Sequence, residues 1–154
     1  MKRMVLILFL LLTTCTPELP CEPRVTEPQA WSESELSLVG LINDYRAELG
    51  LNVVITNEDL KIESDKRAEV LYYLPAVTHD GVGAAFIALG NKCYQGYAEI
   101  LGGGYTTIES VLAAWKESSE HNRALLRASS YYIGVANTVG ENGQTIYVIL
   151  LARD

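Results

Sequence analysis

The chain has two histidines, His79 and His121, 42 positions apart. His79 lies in "THDG", a loop-like stretch. His121 lies in "WKESSEHNRALL", where an amphipathic helix reads as running out. Imidazoles titrate nearest neutral pH and are common metal ligands. If the fold brings the two together they form one site; if not, each is a solvated loop residue. Other chemistries are poorly supported. Ser118 and Ser119 stand beside His121, but no GxSxG elbow is present, and hydroxyls near a helix end commonly serve the backbone. No CxxC pair exists for a zinc–thiolate site. The "GGG" at 102–104 precedes a helix without the lysine of a phosphate loop, and no GxGxxG opens a helix.

The elements that must position these residues fall into two groups. "SESELSLVGLINDYRAELGL" predicts a first helix, with Ser32 as cap, Glu35 as its capping-box partner and Gly50 as the stop. Leu36, Val39, Ile42, Leu49 and the neighbouring Tyr45 form its apolar stripe. Arg46 on this helix either pairs with an acid in the core or sits at the surface. A second helix starts near Asn57 and is ended by Pro75, with Leu60, Ser64, Ala68 and Leu71 on one face. "VGAAFIALG" predicts a short third helix. "TTIESVLAAWKESS" predicts a fourth, capped by Thr106 or Thr107. The last third is rich in β-branched and aromatic residues, and "YYIGVANTV" and "QTIYVILLA" read as strands joined by "GENG". Helices first and strands last give an α+β or layered αβα class, without a regular βαβ repeat.

The N-terminus carries an address. "MKR" followed by nine apolar residues, "MVLILFLLL", has the layout of a secretory signal peptide over residues 1–14 and is too short to span a membrane. "LTTC" resembles a bacterial lipobox with Cys15 as the lipidated residue, although Thr14 stands where a smaller residue is usual; ordinary signal cleavage is the alternative. Residues 15–31 hold four of the five prolines and read as a tether, followed by one domain over 32–154. Removing residues 1–14 takes Lys2 and Arg3 with it and changes the formal charge from −7 to −9. With no basic patch, nucleic acid is excluded as a partner. Export implies an oxidising compartment. If Cys15 carries lipid, Cys21 and Cys93 are the remaining pair; if it does not, one thiol is left over and the pairing stays open.

Taken in order, "NDYRAELGL", "EDLKIESDKRA", "THDG", "AEILGGGY", "WKESSEHNRALL" and "YYIGVANT…IYVILLA" resemble the CAP superfamily, or SCP domain, over residues 36–152. The spacings from Glu99 to Tyr105, Tyr105 to Trp115 and Trp115 to His121 follow the bacterial pattern. The resemblance implies a three-layer αβα sandwich with a central antiparallel sheet. It also implies a cleft gathering His79, Glu99 and His121, a set suited to a divalent metal such as Zn²⁺ with one position left for water. Two departures stand out. Ser118 occupies the place of a second glutamate found in eukaryotic members, and Ile100 the place of an asparagine. Members of the family are linked to sterol and fatty-acid binding and to proposed proteolysis, without one shared activity. The expectation is therefore an exported, non-enzymatic binding module. Its ligand would be a lipid or a protein, and it would meet the membrane only through an N-terminal anchor. The rivals are a metal-assisted hydrolase with Glu99 as base or ligand, and a surface interaction protein whose cleft is vestigial.

Overall fold

A computed structural model describes residues 20–25 and 27–154. The expected signal peptide and Cys15 lie outside the described residues. Among the described residues no helix is long and apolar enough to cross a membrane.

The chain forms α1 (Glu33–Glu48), β1 (Ile55–Thr56), α2 (Glu58–Tyr72), α3 (Gly83–Asn91), β2 (Gln95–Gly103), α4 (Ile108–Glu117), α5 (Ser119–Leu125), β3 (Tyr132–Val139) and β4 (Thr145–Arg153). The sheet order is β1-β3-β4-β2. β4 pairs antiparallel with both β3 and β2, and the two-residue β1 adds a parallel edge beside β3. The class is α+β. β4 is central, and its near-continuous apolar run serves both faces with period two. Tyr147, Ile149 and Leu151 pack with Leu38 and Ile42 of α1 and Val111 and Trp115 of α4. Ile146 and Val148 pack with Ala68 and Leu71 of α2, while Leu150 and Ala152 meet Leu60 of α2 and Leu89 of α3. The sheet is thus the middle of three layers.

Local signals account for the helix starts. Ser32 accepts from the Glu35 N–H while the Glu35 side chain accepts from the Ser32 N–H. Asn57 and Thr107 cap α2 and α4. The face of α1 differs from the expected stripe. Leu36 and Leu49 are about half exposed, and the buried set is Glu35, Leu38, Val39, Ile42 and Arg46. That set also has helical spacing, and it places an arginine rather than Leu49 in the interior. α2 reaches the sheet so closely that a Cβ on Gly134 of β3 would lie 2.2 Å from the Leu60 backbone.

Two further differences bear on the site. "QGYAEILGG" is a full strand, paired with β4 from Glu99↔Leu150 to Gly103↔Ile146. The expected fourth helix breaks at Ser118, which has extended backbone (φ −80, ψ 118) and serves as C-cap of α4 and N-cap of α5. The described part of the Pro-rich segment does not hang free. Cys21 is disulfide-bonded to Cys93, with Cα atoms 5.6 Å apart. Downstream of it the Val25 N–H donates to Asp59 Oδ1 (3.1 Å) and the Gln29 N–H to Glu58 Oε2 (2.7 Å).

Candidate functional site

β2 is an edge strand, so groups from the two helical layers can meet around it. Glu99 has the parity of Leu101 and faces the α2/α3 layer, whereas Ile100 faces the α1/α4 core and is fully buried. The Ile100 position that holds asparagine in the resembled pattern is therefore apolar packing on the opposite side of the strand.

The Glu99 side chain is 2% exposed, and both of its oxygens are engaged. Oε1 accepts from Nε of Arg67 on α2 at 2.7 Å. Oε2 lies 2.7 Å from Nδ1 of His79. An ionised carboxylate only accepts, so Nδ1 carries a proton and Nε2 is the ring nitrogen that does not face Glu99. The His79 side chain is 58% exposed. Arg67 also organises the loop that carries His79. It donates through Nη2 to the Thr78 carbonyl (3.0 Å) and through Nη1 to the Asp80 carbonyl (3.2 Å). One guanidinium therefore neutralises the buried carboxylate and fixes the backbone on either side of the histidine.

His121 approaches from the other layer. It lies in the first turn of α5 rather than at the end of α4, and its N–H is capped by Ser118 Oγ. That cap gives Ser118 a structural duty and leaves the second-glutamate position without a carboxylate. A 340 Å³ cavity adjoins His121, walled by Val77, Leu101, Tyr105, Ala114 and Trp115. Trp115 is locked in place by its Nε1–H donating to the Leu101 carbonyl at 2.8 Å. Burial lowers the His121 pKa, and the positive charge available to His79 lowers it further; Glu120 opposes both. Val77, two residues before His79, shares the wall of this cavity with His121, so the two histidines lie on neighbouring stretches of the site.

Glu99 does not fit the role of a metal ligand. Both oxygens are taken, one by a cation that would repel a metal ion. Two imidazoles remain as donors, one fewer than the three protein ligands of a zinc site with an open position. Among the described residues no group of three or more His, Cys, Asp and Glu is arranged to hold a metal ion.

Arg67 lies outside every motif that pointed to the site. Its signal was present: with Leu60, Ser64, Ala68 and Leu71 it occupies one helical face, so it had to be buried and in need of a counter-charge.

The family model described as "Cysteine-rich secretory protein family" (CAP) matches residues 39–151. No curated protein matches the chain. Among solved structures, the chain is similar to an outer surface protein from Borrelia burgdorferi (22% identity, TM-score 0.66, covering 79% of this chain and 93% of that one). It is also similar to a cysteine-rich secretory protein from Staphylococcus aureus (18%, 0.64, 77% and 38%). A third similar structure is the CAP domain of Enterococcal PrgA (19%, 0.62, 81% and 64%).

Proposed function

The chain belongs to the cysteine-rich secretory protein (CAP) family, and on that premise we propose that it is an exported, lipid-anchored module that binds a ligand and does not turn over a substrate. The observation that carries this reading is the closed hydrogen-bonding of Glu99. With Arg67 on one oxygen, His79 on the other and only 2% of the side chain exposed, the carboxylate is shielded from a substrate or bulk water. It orients His79 and does not act as a general base. What remains open is His79 Nε2, the His121 ring and the cavity beside it, where Val77, Leu101 and Ala114 stand with Tyr105 and Ser118. A polar or anionic head at the imidazoles, with an apolar body against Val77, Tyr105 and Trp115, is the ligand chemistry this arrangement suits. The anchor rests on the "LTTC" stretch at Cys15.

The test is direct. A fluorescent fatty acid titrated into the full chain should bind saturably. Tyr105→Trp, which crowds the cavity, should weaken binding several-fold, as should His121→Ala. A parallel Zn²⁺ titration should give only weak binding, and an unbiased hydrolase screen should show no turnover dependent on His79. Turnover abolished by Glu99→Gln would defeat the binding reading in favour of a hydrolase. Tight, stoichiometric zinc uptake lost in His79→Ala and His121→Ala would show that the imidazoles suffice for a metal without Glu99.

A further inference from the structure

We propose that the α3 side of the domain, around Cys93, lies against the membrane that holds the anchor, with the exposed face of α3 in contact with the lipid surface. This rests on the lipid-anchor reading above and adds an orientation to it.

The first argument is the length of the leash. Counted by sequence alone, the tether from Cys15 to the first helix has about 17 steps and a reach of roughly 60 Å. The Cys21–Cys93 disulfide shortens it. Beyond the bridge the chain is fastened to the domain. The Glu22 N–H donates to the Asn91 carbonyl (2.8 Å), Arg24 Nε to the Lys92 carbonyl (3.2 Å), and Arg24 pairs with Asp154 (2.6 Å). Its guanidinium also stacks over the Tyr94 ring at 4.1 Å. By sequence six steps separate Cys15 from Cys21, and six steps reach at most about 20 Å. A domain of this size is roughly 35 Å across. A leash shorter than the body it holds cannot let the far side turn to the surface. The point of attachment, two residues beyond the end of α3, must face the membrane.

The second argument is the surface found there. α3 reads GAAFIALGN and has no charged side chain. Its outward positions Gly83, Ala84, Ile87 and Gly90 are exposed, Ile87 at 68%. A groove between α3 and α2 continues this surface through Val70, which is 53% exposed, and Ala84, Ala85 and Ala88, and is also lined by Glu63, Lys66 and Arg67. A helix face without charge, with an exposed Val70 beside it, is unusual on a domain whose residues 32–154 carry a formal charge of −7, and marks a contact surface. Against a bilayer its apolar side chains enter the headgroup boundary. The Thr78–Asp80 loop leads into the other end of α3, so the same orientation keeps the His79 cleft near the lipid surface.

The experiment uses the full chain expressed in a bacterium, purified with its anchor and reconstituted in phosphatidylethanolamine–phosphatidylglycerol vesicles. Intact mass first reads the lipid on Cys15. Hydroxyl-radical footprinting then compares this protein with the Cys15→Ala chain free in solution. Oxidation of Ile87 and Val70 should fall at least five-fold on vesicles, while Leu36 and Leu49 on α1 stay unchanged. Cys93→Ser combined with Arg24→Ala, with the fold checked by circular dichroism, should raise oxidation of Ile87 part of the way back while the lipid remains. A lipidated chain whose Ile87 oxidises as fast as in the free protein overturns the orientation and leaves the anchor standing. An N-terminus without lipid overturns both. Protection of Ile87 already present in the Cys15→Ala chain assigns the strip to a second copy, and equal protection of Leu36 reduces the effect to general shielding; either result overturns the proposal.

Discussion

Arg46 and Arg67 are both buried helix residues whose guanidinium groups tie down distant backbone, yet they serve different ends. Arg46 is 0% exposed and, among the described residues, its side chain donates only to carbonyls: Asn52 (2.9 Å), Leu125 (2.5 Å), Arg127 (3.2 Å) and Ser130 (3.5 Å). Burial draws its pKa down, with no carboxylate among the described residues to offset that effect. It is a fastener between α1 and the turn that leads into β3. Arg67 also holds two carbonyls, those of Thr78 and Asp80, but its third contact is a buried carboxylate that in turn orients a half-exposed histidine. The lesson is that a buried charge satisfied by backbone alone is architecture. One satisfied by another charge that reaches a solvent-facing group couples the core to a site.

That contrast is broken most strongly at Arg67. Arg67→Met leaves Glu99 buried without its cation, and breaking such a pair from one side costs about 3–5 kcal/mol. The double variant Arg67→Met/Glu99→Leu should be clearly more stable than Arg67→Met alone, because no uncompensated charge remains. Chemical denaturation of the three proteins reads this. Equal losses in single and double variants would mean that the loop carbonyls, and not Glu99, account for the role of Arg67.

Arg46 offers no such rescue. Arg46→Met should cost about 3 kcal/mol, since each buried carbonyl left unmatched costs about 1–3 kcal/mol and some will recruit water. No single partner substitution should restore the loss, because the partners are main chain. Ligand binding at the cleft should be unchanged once folding is accounted for. A compensating side-chain variant, or a binding defect in a folded Arg46→Met protein, would erase the distinction between the two arginines.

The same contrast explains what could be read from the sequence. Helix starts were legible because capping acts within one turn: Ser32 with Glu35, a start near Asn57, and Thr106 or Thr107, of which Thr107 is the cap. β4 was legible as a strand from its β-branched apolar run, whereas its burial on both faces follows from its central place in the sheet. Arg46 was not, because its partners lie six to 84 positions away and are carbonyls that every residue carries. β2 was missed because "QGYAEILGG" has three glycines and little alternation; its pairing with the buried β4 makes it a strand. The break at Ser118 hid behind good helix formers on both sides. Of the site, His79, Glu99 and His121 came through the family resemblance, but the engagement of Glu99 by Arg67 depends on how α2 crosses the sheet at Gly134, which no local pattern states.

At the solvent end of the Arg67 chain the energetic stake should shrink. His79 is more than half exposed, so its hydrogen bond to Glu99 is screened on one side. His79→Ala should change stability by less than about 1 kcal/mol, the range of exposed pairs, while weakening fatty-acid binding several-fold. A large loss of stability would place His79 with the fasteners rather than with the site.

The smallest effect is the most specific test of the two imidazoles. The His121 pKa is lowered from its ordinary 6.5, first by burial and then by the charge of His79, against an opposing pull from Glu120. The unfolded chain therefore binds a proton at this residue more readily than the folded one, and stability from the neutral His121 is fully present above pH 6.5. It is lost as the pH falls through 6.5 toward the lower folded value. NMR titration of the His121 ring in His79→Ala should show its pKa moving partway back up, since burial, the larger cause, remains. Glu120→Gln should move it further down. The acid-side loss of stability should narrow in the first variant and widen in the second. An unchanged His121 titration in His79→Ala would mean that the two rings do not sense each other, and the cleft would reduce to the Arg67–Glu99–His79 chain alone.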